Sequence, residues 1–152
     1  LFNASGAVVS RGGKHATVGT VPSPEHLDEL ILWLHTREPK KVFHTFSLGN
    51  EYEYAVEYQD IASGMLVIPI NYSKDEYVII FRPEKIKEIN WGGNPDERIQ
   101  FEPDQKNYHP RSSFRQWQEK VRGMSIEWST AELRFAETLR SFIYEYETSG
   151  VF

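Results

Sequence analysis

Between positions 109 and 119 the chain reads His109-Pro110-Arg111-Ser112-Ser113-Phe114, and then, after two residues, Trp117-Gln118-Glu119. An imidazole, a guanidinium, two hydroxyls and a carboxylate would serve as acid, anion clamp and base if one pocket gathered them. Their spacing places them on no common pocket, and neither serine has the context of a nucleophile elbow. The chemistry they do support is recognition. Arg111 carries five donors in a planar fork that suits a fixed carboxylate or phosphate, and Pro110 restrains the backbone just before it. The plain alternative is a surface arginine paired with a nearby Glu or Asp, which would contribute only about 0 to 1 kcal/mol. Phe114 and Trp117 have a plain alternative too, as core residues at helical spacing.

Other chemistry is poorly supported. His15, His26, His35, His44 and His109 show no metal-ligand spacing, so neither a metal site nor an enzyme is expected. Gly12-Gly13 and Gly92-Gly93 lack the frame of a phosphate-binding loop or a dinucleotide fingerprint. Seventeen basic against 22 acidic residues give a net charge of -5 with no basic stripe, which argues against nucleic acid. The absence of cysteine excludes disulfides, thiolate metal sites and a thioether bond to a cofactor. No apolar run approaches the roughly 20 residues of a membrane span. The start Leu1-Phe2-Asn3 lacks Met and a signal pattern, so a piece of a cytoplasmic protein is expected.

At 152 residues and 39% hydrophobic the chain can bury one ordinary core. Its elements read as α/β (α+β), with mostly antiparallel strands. Gly6 to Ser10 and Lys14 to Val18 flank Arg11-Gly12-Gly13 as a hairpin would. Ser23 and Pro24 open a helix whose Leu27, Leu30, Ile31 and Leu34 share a face, and Glu38-Pro39 ends it. Val42 to Ser47 predicts a short strand, and Glu51 to Tyr58 a helical turn. Gly64 to Ile70 and Glu76 to Phe81, apolar and β-branched around a polar loop, predict two adjacent central strands. Ile86 to Trp91 predicts a further strand. Ser129-Thr130-Ala131-Glu132 is a capping-box pattern that opens a long exit helix, with Leu133, Ala136, Leu139 or Arg140, Ile143 and Tyr146 as its stripe.

Between the last two elements the chain leaves the body and returns. Gly92, Gly93 and Asn94-Pro95 must break the strand that ends at Trp91. Arg98 to Glu102 alternates like a strand and could pair with Pro110 to Phe114. Yet Phe114, Trp117 and Val121 repeat at i, i+3 and i+7, and Ser112 or Ser113 can serve as an N-cap, so the return limb can equally be a helix. Such a segment becomes a two-state element if a partner binds its two forms differently.

These residues carry a resemblance. Trp91-Gly92-Gly93, the Pro110-Arg111-Ser112-Ser113-Phe114 run and Trp117-Gln118-Glu119 resemble, in order, the tongue motifs of the PHY (phytochrome-specific) domain. Upstream, Ala62-Ser63-Gly64-Met65-Leu66-Val67-Ile68-Pro69-Ile70 and Phe81-Arg82-Pro83-Glu84 are similar to the family's central strand and the turn that follows its neighbour. The resemblance covers nearly the whole chain. It implies a single GAF-like domain over 1–152: a central antiparallel sheet with helices on its faces, a protruding tongue at about 91–121 and a C-terminal signalling helix at about 129–147.

For function, the resemblance implies a red/far-red photoreceptor. A linear tetrapyrrole, biliverdin or a related bilin, would sit in a neighbouring GAF domain of the same polypeptide, with none held covalently by this chain. Trp91, Gly92, Gly93, Pro110, Arg111, Ser113, Phe114, Trp117 and Glu119 would be the tongue's contacts to that domain. Arg111 would bond an aspartate there, with Ser113 adding a hydroxyl contact. The tongue would exchange hairpin and helix with the bilin's photostate. The exit helix would run on to an output module, commonly a histidine kinase of a two-component system, and would help pair two protomers into a homodimer. The competing reading is a GAF-like regulatory domain that binds a small ligand itself. That reading requires an internal cavity where the PHY reading requires a filled core.

Overall fold

Gly12 and Gly13 hold φ values of 58° and 77°, left-handed conformations open to residues without a Cβ. They turn strand β1 (Gly6–Arg11) back on β2 (Lys14–Gly19), with Arg11 opposite Lys14. The computed structural model describes residues 2–86 and 110–148. Helix α1 (Pro24–Arg37) starts where expected: Ser23 Oγ accepts the His26 N–H at 3.2 Å and Pro24 takes the first turn. It stops at Glu38, whose φ of 46° is left-handed, immediately before Pro39.

Strand β3 (Phe43–Thr45) is shorter than the 42–47 run predicted for it. Its flanking amides are spoken for elsewhere. The Val42 N–H donates to the Glu137 carboxylate at 3.1 Å and the Ser47 N–H to Thr45 Oγ1 at 3.0 Å. Short helices α2 (Leu48–Glu51) and α3 (Gln59–Ala62) flank a 3-10 stretch over Glu53–Tyr58 and lead into the central strands β4 (Gly64–Asn71) and β5 (Glu76–Arg82). The five strands form one antiparallel sheet in the order β2-β1-β5-β4-β3. Helices α4 (Pro110–Val121) and α5 (Thr130–Thr148) complete the described elements.

Because side chains alternate along a strand, β4 and β5 bury both faces. Met65, Val67, Tyr77, Ile79 and Phe81 meet Leu27, Leu30, Ile31 and Leu34 of α1 on one side. Leu66, Ile68 and Ile80 meet Ala136 and the half-buried Leu133, Leu139 and Ile143 of α5 on the other. At roughly 1.5 to 3 kcal/mol per fully buried large apolar side chain, these two clusters hold the three layers together. The expected α+β architecture is present.

Of the strand expected over 86–91 only Ile86 is described, and it is helical together with Lys85. Pro83 removes a ladder donor, and the Lys85 N–H bonds the carbonyl of Met124 at 2.7 Å instead of a neighbouring strand. The remainder of that run, and the strand expected over 98–102, lie outside the described residues.

Buried phenols make the fold sensitive to alkali. Burial, reinforced by the charge and hydrogen bond of Asp75, pushes the Tyr77 hydroxyl up to about 12. The folded state therefore keeps this proton longer than the unfolded chain, whose tyrosines ionise near pH 10. The associated stability is full below about pH 10 and is lost as pH rises toward about 12. Urea midpoints measured between about pH 8 and 11.5 should fall with pH, and Tyr77→Phe should flatten that fall. Parallel curves for the two proteins would show that Tyr77 does not contribute.

Candidate functional site

The return limb around Arg111 is helical, so of the two forms its sequence permits this structure shows one. Pro110 and Arg111 start α4, and Ser112 and Ser113 lie inside the helix rather than capping it. The reason is positional: proline tolerates the first helical turn, which places the start ahead of both serines. Phe114 and Trp117, three residues apart, stack on one another with ring centroids 5.7 Å apart and planes at 20°. Both are half-buried, as is Ser113, while Glu119 is exposed. Helix α4 thus brings Pro110, Arg111, Ser113, Phe114, Trp117 and Glu119 onto one element. Trp91, Gly92 and Gly93 lie outside the described residues.

Beyond α4 the chain does not wander. Gly123, at φ 73°, donates its N–H to the Glu84 carboxylate at 2.6 Å, and the Ser125 N–H reaches the carbonyl of Phe46 at 2.8 Å. Trp128 Nε1–H donates to the carbonyl of Thr45 at 3.0 Å. Residues 123–128 therefore form a strap across the end of the sheet. The strap explains Gly64, since a Cβ there would overlap Ser125 Oγ. It also gives Glu84 a function, because that side chain ties the strap to the turn after β5. A Pro-Glu pair and a lone glycine in an apolar strand are weak signals singly, and neither names the segment it receives.

Sequence reasoning missed the residue on which this junction centres. Arg82, the last residue of β5, is 1% exposed. Its Nε donates to the carbonyl of Phe2 at 3.0 Å and its Nη2 to the same oxygen at 2.6 Å. Its Nη1 reaches the carbonyls of Ile126 at 3.2 Å and Glu127 at 2.9 Å. Nη2 also bonds the Glu132 carboxylate, and the guanidinium carbon lies 3.8 Å from the centre of the Trp128 ring. A signal existed: Val78, Ile80 and Arg82 share one strand face by period two, which places a cation on an apolar side.

Glu132 answers from the first turn of α5. The expected capping box forms, with the Ser129 N–H donating to Glu132 Oε1 at 2.8 Å and the Glu132 N–H to Ser129 Oγ at 3.1 Å. Burial pushes the Glu132 carboxyl up, but the hydrogen bonds from Ser129 and the Arg82 guanidinium outweigh it and hold the group below the usual carboxylate value. One side chain therefore both starts the exit helix and fixes it to β5.

Three of the described histidines, His15, His26 and His35, contact carboxylates instead of forming ligand sets. His26 faces Glu57 at 3.1 Å and His35 faces Asp75 at 2.7 Å. His15 lies between Ser10 Oγ at 3.1 Å and Asp28 at 2.7 Å. That trio contains the residue types of a hydrolase triad, yet Ser10 is 2% exposed within β1, where a substrate could not reach it. Among the described residues no cluster of three or more His, Asp or Glu side chains could hold a metal ion. Among the same residues no helix is long and apolar enough to cross a membrane.

With this geometry in hand, the phytochrome region family, PHY, matches residues 1–149. The chain belongs to the PHY family. Cyanobacterial phytochrome A of Nostoc sp. is similar to this PHY domain at 40% identity over 145 residues, covering 94% of the chain and 19% of that protein. The bacteriophytochrome of Pseudomonas aeruginosa is 31% identical over 146 residues, covering 95% and 20% respectively. Phytochrome B of Arabidopsis thaliana is 32% identical, covering 92% and 12%. The solved structure of a bacteriophytochrome from the photosynthetic bacterium R. palustris superposes with a TM-score of 0.62 at 25% identity, over 96% of this chain and 29% of that one. This PHY domain thus spans a fifth or less of the length of these curated relatives.

Proposed function

We propose that this PHY domain serves a red/far-red photoreceptor as the element that shields a bilin and relays its photochemistry. In this reading a linear tetrapyrrole is held by a GAF domain of the same polypeptide, and this chain supplies no covalent attachment. The tongue, at about 91–121, covers that pocket through Trp91, Gly92, Gly93, Pro110, Arg111, Ser113, Phe114, Trp117 and Glu119. Arg111 bonds a carboxylate of the GAF domain in one photostate. Isomerisation of the bilin weakens that bond, and the return limb exchanges strand for helix. A strand advances about 3.3 Å per residue and a helix about 1.5 Å, so converting a few residues shortens the connection by several ångström. The pull passes to α5 and on to an output module, by resemblance a histidine kinase, in a homodimer.

The observation that carries this reading is the continuity of α4, the strap and α5. The limb bearing the Arg111 motif feeds straight into the exit helix through a segment fixed to the sheet at Phe46, Glu84 and Thr45. The side-chain packing on both faces of the sheet also favours relay over the ligand-binding alternative. The test is the absorption spectrum of the receptor that joins this domain to its bilin-binding domain, taken before and after red light, for wild type and for a deletion of residues 94–118. Reversible photoconversion in wild type, with bleaching or rapid reversion in the deletion, is the expected result. Failure to bind bilin, or identical spectra, would reject the tongue reading.

A further inference from the structure

The root of the relay is a buried charged junction whose parts come from separate stretches of chain. Arg82 ends β5. The carbonyls it holds belong to Phe2 at the N-terminal end and to Ile126 and Glu127 in the strap, and the carboxylate belongs to the first turn of α5. Two residues on, Glu84 holds Gly123, and the Lys85 N–H holds the Met124 carbonyl at 2.7 Å. The turn leaving the sheet and the strap returning from α4 are thus tied to each other, and both are tied to α5. Breaking such a junction piecemeal leaves buried carbonyls or a carboxylate without donors, which is costly in a poorly solvated site. The junction accordingly moves as one body or opens as one body.

We infer that Arg82 and Glu132 are the mechanical joint of this domain, positioning residues that make the first turn of α5 follow the turn after β5 and the strap. The inference rests on the relay reading and goes beyond it by naming where transmission can be cut without disturbing the tongue's contact surface. Neither residue belongs to that surface. Glu132 serves Ser129 with one carboxylate oxygen and Arg82 with the other. A glutamine has a single acceptor oxygen, so Glu132→Gln preserves the cap or the arginine contact but not both. In either orientation the charge that strengthens the Arg82 contact is gone, so the joint loosens, while glutamine remains able to satisfy a capping box.

The experiment uses the full bilin-loaded receptor, with two readouts on wild type and Glu132→Gln. The first is the light-induced difference spectrum and the rate of dark reversion, which report the tongue. The second is the light-minus-dark change in hydrogen exchange across residues 130–148, which reports α5. Coupling of ordinary strength produces a light-dependent exchange ratio of about fivefold or more in wild type. The expected result for Glu132→Gln is an unchanged spectrum and reversion rate with that ratio reduced to near one. A variant that retains the wild-type ratio in α5, or that loses photoconversion together with it, overturns the joint. If the glutamine protein does not fold, Arg82→Lys, which retains the charge but has three donors in place of five, is judged by the same two readouts. Failure of the relay reading is separately visible, as wild-type photoconversion that survives deletion of residues 94–118.

Discussion

Arg82→Met should destabilise the domain by about 3 kcal/mol, at the low end of the roughly 3 to 5 expected when one partner of a buried ion pair is removed. Methionine nearly fills the volume and keeps contact with Trp128, so a cavity is not the main cost. The cost lies in what is left behind: a carboxylate on Glu132 and the carbonyls of Phe2, Ile126 and Glu127 without donors. Glu132, with its side chain 15% exposed, recovers some hydration, which is why the low end applies. Urea unfolding of the 152-residue chain measures the change, and a Glu132→Gln background provides the control. There the same substitution should cost less, because no uncompensated carboxylate remains. A loss under about 1 kcal/mol in the wild-type background would mean that the junction rehydrates freely and is not a rigid tie.

The second large effect concerns Arg111. In the full receptor, Arg111→Ala should shift the balance between photostates and shorten the lifetime of the one that Arg111 is proposed to anchor. A hydrogen bond to a charged group contributes about 1.5 to 3 kcal/mol, which corresponds to roughly a 10- to 150-fold change in that balance. Arg111→Lys should restore only part of it, since an ammonium is a point charge and cannot hold a carboxylate with two parallel bonds. The yield of the far-red-absorbing state and its dark reversion in both variants provide the check. If Arg111→Ala left both unchanged, the anchoring role would be wrong, whatever the deletion of residues 94–118 does.

The contrast between these two arginines shows how sequence and structure divide the information. Arg111 is conspicuous in the sequence, because a proline, an arginine and two serines between aromatic residues make an unusual run that resembles a known tongue. Arg82 lies in an equally characteristic turn, Phe81-Arg82-Pro83-Glu84, but nothing local specifies its role. Its partners are 80, 44, 45 and 50 residues away in the chain, and no local pattern encodes a contact across such separations.

What the sequence determined by itself is what short-range physics controls. The Gly12-Gly13 reversal, the Ser23-Pro24 start of α1 with its leucine stripe, the paired β-branched runs of β4 and β5, and the Ser129-Glu132 box each follow from dihedral limits, periodicity or capping within a few residues. For the return limb those same rules favoured two answers, and the folded chain shows the helix. The strand order, the shortening of β3 by Glu137 and Thr45, the helical turn at Lys85 and Ile86, and the strap that requires Gly64 came instead from long-range packing. Each of these depends on where a buried donor or acceptor finds its partner. That choice is made by the whole packed chain, because a polar group taken out of water must be satisfied by whatever the fold brings near it.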